Sequence, residues 1–237
     1  MSDPDVDTKH NEIGTLLICG WSPQGRRAVD DLHATTSAAS MTIMARTDDS
    51  TTPPIPDRPG LTHRSLDPTS HDDLLAAGLR DVDVVVLLAD RCHSSNPDTL
   101  DARTVLTALS IRELDADVHV IAELINEDNQ ALASDAGIDE TILADRFSGV
   151  MLSQSLQSAG LSELFTRLFE TGAGAFFDER RIPQRLVGSR YSEAVAEWPS
   201  RGLGAVAGLR RGDDLYLPPD EEIKLEAADK LLVMRRV

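Results

Sequence analysis

The segment Val82-Asp-Val-Val-Val-Leu-Leu-Ala89 constrains this chain more than any other. Its apolar run is nearly unbroken, so a strand built from it has no face to give to water and must be covered on both sides. Further strands are read at Gly14–Cys19, at Met41–Ala45, at the weaker Leu61–Leu66, at Val118–Glu123 and at the brief Glu140–Leu143. Helical spacing fills the intervals. Arg26–Ala34 carries Ala28, Val29 and Leu32; Asp98–Leu114 carries Val105, Leu106, Leu109, Ile111 and Leu114; Glu127–Ala136 closes on Gly137. Asp67-Pro68-Thr69 reads as another helix start, with Pro68 in the first turn and Asp72 and Asp73 near the positive end of the helix dipole. Strands alternating with helices specify a parallel sheet with helices on both faces, because right-handed crossovers pack back onto it. The expected fold class is α/β, with a Rossmann-like doubly wound parallel sheet.

The pattern changes after residue 145. Phe147–Thr171 is a long helical pattern carrying Val150, Met151, Leu156, Leu161, Leu164, Phe165, Leu168 and Phe169, with Gly160 interrupting it. So much apolar surface on a helix leaving its domain calls for cover, from its own sheet or from a second copy of the chain across a dimer interface. Residues 172–181 read as a connector. Beyond Ile182 come short β-like pieces at Leu186–Gly188, Gly204–Leu209, Asp214–Leu217 and Leu231–Met234, separated by turn signals. The expected organisation is a disordered tail over 1–12, a Rossmann-like lobe over 13–145, a crossover helix and connector over 146–181, and a small α+β subdomain over 182–237.

Charge removes several functions. The chain holds 40 acidic and 23 basic residues, a formal charge of −17, and only Lys9, Lys224 and Lys230 are lysines. Such a surface repels phosphate backbones, so no nucleic-acid partner is expected. No apolar run approaches the roughly 18–20 residues of a membrane span, so no direct membrane insertion is expected either. The acidic leader MSDPDVDTKHNE is neither a signal nor a transit peptide, which points to the cytoplasm. Two distant cysteines make no disulfide framework, and Cys19, inside an apolar run, reads as a small buried hydrophobe.

One turn carries a chemical signal. Gly20-Trp21-Ser22-Pro23-Gln24-Gly25 follows a buried strand and opens a helix. A dinucleotide-binding turn places glycine at three positions, for the tight turn, for approach of phosphate to backbone, and for helix packing. Here Ser22 takes the middle position, which leaves a nucleotide site and a turn kept only for the fold both open. The second strand ends in Ala45-Arg46 where an NAD site has a carboxylate; Arg46 is either a partner for a ribose phosphate or a solvated loop residue. Asp67, Asp90 and Glu123 end the third, fourth and fifth strands, and Asp145 follows the sixth. Oxygen ligands at that edge suit a hard cation, and Asp90, Glu123 and Asp145 form the candidate Ca2+ set. A nucleophile elbow, a Tyr-x-x-x-Lys pair, a helical His pair and a P-loop are all absent, so no catalytic residue is assigned and no enzymatic activity is expected.

Taken in order, the strand-GWSPQG-helix unit, VDVVVLLAD, HVIAELINEDN and the tail LVGSRYSEAV…GAVAGLRRGDDLYLPPDEEIKLEAADKLLVM resemble the RCK (regulator of K+ conductance, or KTN) domain with its C-terminal subdomain. The cytosolic domains of Castor/Pollux-type ion channels are the form they resemble. The resemblance spans residues 14–237, with Ala228 replacing the glycine before the closing Asp229. It implies a Rossmann-like lobe, a dimerising crossover helix, and assembly as a homodimer or an octameric gating ring on a membrane-embedded K+ channel or transporter pore. It implies a nucleotide, NAD(H) or an adenine nucleotide, or Ca2+ as the ligand, with binding converted into lobe motion. Carried over, Gly20, Trp21, Ser22, Gly25, Arg46, Asp67, Asp90 and Glu123 line the cleft. The departures at Ser22 and Ala45-Arg46 leave the ligand open. The starting methionine and acidic leader favour a stand-alone cytoplasmic subunit, peripheral to the membrane, over an excised fragment. An NAD(P)-dependent oxidoreductase and a nucleotide- or redox-sensing module unconnected to ion transport are the alternatives.

Overall fold

The computed structural model describes residues 14–35, 40–46, 54–89, 94, 96–115, 117–169, 175–200 and 204–236. The expected tail over 1–12, residues 47–53, Asp90 and Cys92 lie outside the described residues. The chain divides into two compact units, Asn11–Ala159 and Gly160–Val237.

In the first unit, β1 (Thr15–Cys19), β2 (Ser40–Met44), β3 (Leu61–Arg64), β4 (Val84–Leu87), β5 (His119–Leu124) and β6 (Glu140–Leu143) form one sheet. Its order is β3-β2-β1-β4-β5-β6 and every neighbouring pair is parallel. Winding therefore reverses between β1 and β4. Alternate β1 side chains serve two cores. Leu17 and Cys19 join Leu74, Val85, Leu87 and Ile111 on one face; Leu16 and Ile18 join Trp21, Val29, Met41 and Ile43 on the other. Double burial is why β1 reads as a continuous apolar run rather than as alternation.

Four helices follow their strands: α1 (Pro23–Thr35), α2 (His71–Ala76), α3 (Pro97–Leu114) and α4 (Gln130–Asp135). The expected start at Asp67-Pro68-Thr69 is corrected to His71. Ser70 is the N-cap, its hydroxyl accepting from the Asp73 amide at 3.4 Å, while Asp67 Oδ1 accepts from the Thr69 amide at 3.0 Å in the turn before it. In α3, Asn96 caps the helix by accepting from the Asp98 amide at 2.9 Å, and Pro97 occupies the first turn. The apolar stripe of α3 also differs. Leu106 and Leu109 are exposed, whereas Leu100, Asp101, Thr104 and Thr107 are buried. The two threonines are tolerated there because Thr104 Oγ1 donates to the Leu100 carbonyl at 3.2 Å and Thr107 Oγ1 to the Arg103 carbonyl at 2.9 Å.

The long helical pattern is two helices, α5 (Ala144–Gln157) and α6 (Leu161–Phe169), broken at Gly160 with its φ of +86°. No residue of α5 is buried, and Phe147, Val150, Leu152 and Leu156 are all exposed.

The second unit is an antiparallel sheet in the order β7-β10-β8-β9, from β7 (Ala175–Arg181), β8 (Ala205–Arg211), β9 (Asp214–Tyr216) and β10 (Lys230–Arg236). The stretch read as a connector thus supplies an edge strand. Its charges hide the strand pattern: buried Arg180 pairs with Asp178 at 2.5 Å, and Arg235 of β10 reaches the same carboxylate at 3.0 Å. The β-like piece expected at Leu186–Gly188 is instead the end of a 3-10 turn, Gln184–Leu186, and the residues after it. Sequence reasoning also misses α7 (Tyr191–Ser200), whose Tyr191, Ala194 and Trp198, at i, i+3 and i+7, pack on Leu209, Leu225, Leu231 and Val233.

Candidate functional site

In a doubly wound sheet, ligands enter where winding reverses, above the carboxyl ends of the strands. Here that place lies between β1 and β4. Gly20 leaves β1 with a φ of +91°, and its amide donates to the Met44 carbonyl at 2.9 Å, which fixes the turn against β2. Trp21 turns into the α1-side core and is buried. Ser22 is buried too, and its hydroxyl accepts from the Gly25 amide at 3.1 Å. The serine at the middle position is therefore the N-cap of α1, and it holds an amide of the kind that faces an anion in a phosphate-binding turn. Gly25 keeps the packing role: a Cβ there would stand 2.3 Å from Leu88 Cδ1. Cys19 is buried at the end of β1, and burial pushes its thiol up to about 12, so the thiol is unreactive while the crevice stays closed.

Asp67 follows β3 and faces a basic pair. Its Oδ1 accepts from Arg103 Nη2 at 2.7 Å and from the Thr69 hydroxyl at 2.8 Å. Partial burial alone would raise this carboxyl; the Thr69 amide and hydroxyl, Arg103 and Arg46 outweigh it and hold it below the ordinary carboxylate range. Arg46 stands exposed past the end of β2, acting on Asp67 through its charge. Arg103, on α3, was not among the expected site residues. The available signal was a base at position 103 beside Leu100, Thr104 and Thr107, one helical face turned to the sheet.

Glu123 is buried near the end of β5, and its Oε2 accepts from the Ala89 amide at 3.1 Å, tying β5 to the segment that leaves β4. Asp145 is exposed in the first turn of α5, and Asp90 lies outside the described residues. Among the described residues, no three of His, Cys, Asp and Glu gather as a cation site. A second buried carboxylate, also missed, is Asp101. It accepts from the Ile125 and Asn126 amides at 2.9 Å each and from Asn129 Nδ2 at 2.8 Å, clamping the loop after β5 to α3.

The crevice itself is narrow. Cys19, Gly20, Pro68, Leu87, Leu88 and Arg103 are among the residues that line a cavity of about 20 Å³. That is space for about one water, against roughly 300–1,000 Å³ for a small-molecule pocket. The turn has the backbone for a nucleotide, and among the described residues the cavity beside it is too small to hold one.

The chain is similar to several known proteins. The calcium-gated potassium channel TvoK of Thermoplasma volcanium is 26% identical over 222 residues, covering 93% of this chain and 62% of TvoK. The probable ion channel CASTOR of Oryza sativa subsp. japonica is 25% identical over 173 residues, covering 72% of this chain and 19% of that protein. The human SLO3 gating ring has the same fold, with a TM-score of 0.72 at 13% identity over 94% of this chain and 44% of that one. This chain spans less than two thirds of the length of each. The TrkA-N domain pattern matches residues 16–144, from β1 to the start of α5 and thus across all six parallel strands and the turn at Gly20; by that match over more than half its length, the chain belongs to the TrkA-N (RCK) domain family.

Proposed function

We propose that this chain is a cytoplasmic ligand-sensing domain that regulates a potassium channel or transporter, whose pore is a membrane partner or another part of the same protein. The observation that carries the reading is family membership with the reversal-point crevice between β1 and β4 in place. TvoK, similar along 93% of this chain, is named for calcium gating and potassium conduction, which supports a cation-transport role and keeps Ca2+ beside nucleotides as a ligand class. For a nucleotide, Gly20, Ser22, Gly25 and Arg46 supply the turn, the capped helix start and a base at the ribose side. For Ca2+, the carboxylates offered by the sequence are Asp90, Glu123 and Asp145; the described ones do not gather as a cation site, so support for this branch comes from the likeness to TvoK.

The domain acts as a homodimer or as part of a gating ring. A groove of about 410 Å³, lined by Ile142, Leu143, Phe147 and Val150, runs beside the uncovered α5 and suits a second copy of the same helix. Among the described residues no helix is long and apolar enough to cross a membrane, so the domain reaches the pore by contact or through chain beyond its own helices. Ligand binding biases a two-state assembly whose states differ in affinity for the ligand, and lobe motion passes that bias to the pore.

The test is a thermal-shift panel of NAD(H), NADP(H), ATP, ADP, AMP, Ca2+ and Mg2+. A ligand at a hundredfold its dissociation constant stabilises the folded state by about 2.7 kcal/mol, which moves a unit of this size by about 5–10 °C. A panel in which nothing shifts the melting temperature sinks the sensor reading.

A further inference from the structure

The crevice is shut by charge as well as by packing. Arg103 reaches the cavity from α3 and crosses to Asp67 at 2.7 Å. The two side chains are 26% and 31% exposed, so the pair is neither sealed in the core nor free in water. Pairs at this depth contribute little net stability and exchange partners readily. Their anchoring is unequal. Asp67 is fixed to its own turn by the Thr69 amide and hydroxyl, and its amide donates to Asp73 Oδ2 at 2.8 Å. Arg103 hangs on a long flexible stem, so Arg103 is the part that moves. When it leaves, Asp67 keeps both Thr69 bonds and the charge of Arg46, so departure strands no carboxylate. A guanidinium offers the same planar fork to phosphate as to carboxylate, and it repels a divalent cation.

We propose that the Arg103–Asp67 pair is an internal latch on the crevice: Asp67 holds the position on Arg103 that a phosphate group of an incoming nucleotide takes, and the exchange opens the crevice above the carboxyl ends of β1 and β4. This rests on the ligand-sensing reading above and selects its nucleotide branch for this crevice. Closed and open forms are then two states that the phosphate distinguishes, and apparent affinity falls by the fraction of molecules that are latched.

The test uses the full chain with Cys92→Ser, leaving Cys19, which lines the same cavity, as the one thiol. Asp67→Asn and Arg103→Met are compared with the parent, with circular dichroism confirming that each is folded. In ligand-free protein, well below the melting temperature, both variants label at Cys19 with a maleimide about fivefold faster or more. In titrations with ADP, Asp67→Asn binds about fivefold more tightly and Arg103→Met about tenfold more weakly. Unchanged labelling in both variants overturns the latch. ADP binding that Asp67→Asn weakens or leaves alone also overturns it, while the crevice stays a nucleotide site. Failure of the parent and both variants to bind ADP or NAD overturns the latch and the nucleotide reading together.

Discussion

Replacing Arg211 with alanine is expected to cost the second unit more than replacing its partner Asp229, although both changes break the bonds that join the two. Arg211 Nε donates to Asp229 Oδ1 at 2.8 Å and Nη2 to Oδ2 at 2.7 Å, and the Glu226 amide donates to Oδ2 at 2.8 Å. Asp229 is 1% exposed, whereas the Arg211 side chain is 30% exposed. Arg211→Ala therefore leaves a buried carboxylate with a single amide donor, a loss of about 3–5 kcal/mol. Asp229→Ala leaves a guanidinium that keeps Glu226 at 2.9 Å, the Lys224 carbonyl at 2.8 Å and access to water, a loss of about 1–2 kcal/mol. The two also differ in pH dependence. Burial alone would raise the Asp229 carboxyl, but Arg211 and the Glu226 amide hold it below its ordinary value. In the parent, the stability it contributes is present above the unfolded carboxyl range, near pH 4, and is lost as pH falls through the lower folded value. In Arg211→Ala the main lowering partner is gone and burial prevails, so the folded carboxyl takes up a proton at higher pH than in the unfolded chain. The penalty then shrinks as pH falls from 7 to 5. Urea unfolding at both pH values, followed by the fluorescence of buried Trp198 in a Trp21→Phe background, reads this unit alone. An Asp229→Ala penalty equal to or above that of Arg211→Ala, or an Arg211→Ala penalty independent of pH, refutes the reasoning.

Three further outcomes follow from the same geometry. Phe147→Asp combined with Val150→Asp places charge in the groove beside α5 and converts dimers to monomers in sedimentation velocity, with little change in circular dichroism; unchanged mass removes α5 from the interface. Raising KCl from 0.1 M to 1 M shortens the screening length from about 10 Å to about 3 Å and raises the melting temperature by about 5 °C or more, because a net charge of −17 repels itself; a flat salt response contradicts this. Gly25→Glu abolishes any ADP-induced thermal shift, because the new side chain starts 2.3 Å from Leu88 Cδ1 at the head of α1; a shift retained in full removes the GWSPQG turn from the binding site.

The parallel sheet was legible because burial on two faces writes a continuous apolar run, which little else in a short segment imitates. The break at Gly160 was legible for a similar reason, since its left-handed backbone favours glycine. The second unit was harder. In β7, Asp178 and Arg180 satisfy one another inside the fold and erase the apolar–polar alternation that marks a strand, and α7 shows only three buried positions among its described side chains. At the site, the sequence and its resemblance proposed Gly20, Ser22, Gly25 and Asp67 for the crevice, but they could not show where their polar atoms point. Ser22 turns back to cap α1, and Asp67 is taken by Arg103. Arg103 and Asp101 escaped notice because a charged residue within a helix reads as solvated until its helical face is known. Both face inward, one closing the crevice and one holding the loop after β5.

The central claim is that occupancy of the β1–β4 crevice changes potassium permeation. It is tested most directly by 86Rb+ flux into proteoliposomes that carry a potassium pore with this chain as its cytoplasmic domain, with and without ADP, NAD or Ca2+. The account predicts a flux that changes on addition of ligand and that loses its ADP or NAD response in Gly25→Glu. Flux indifferent to every ligand, or a nucleotide response that survives Gly25→Glu intact, contradicts it.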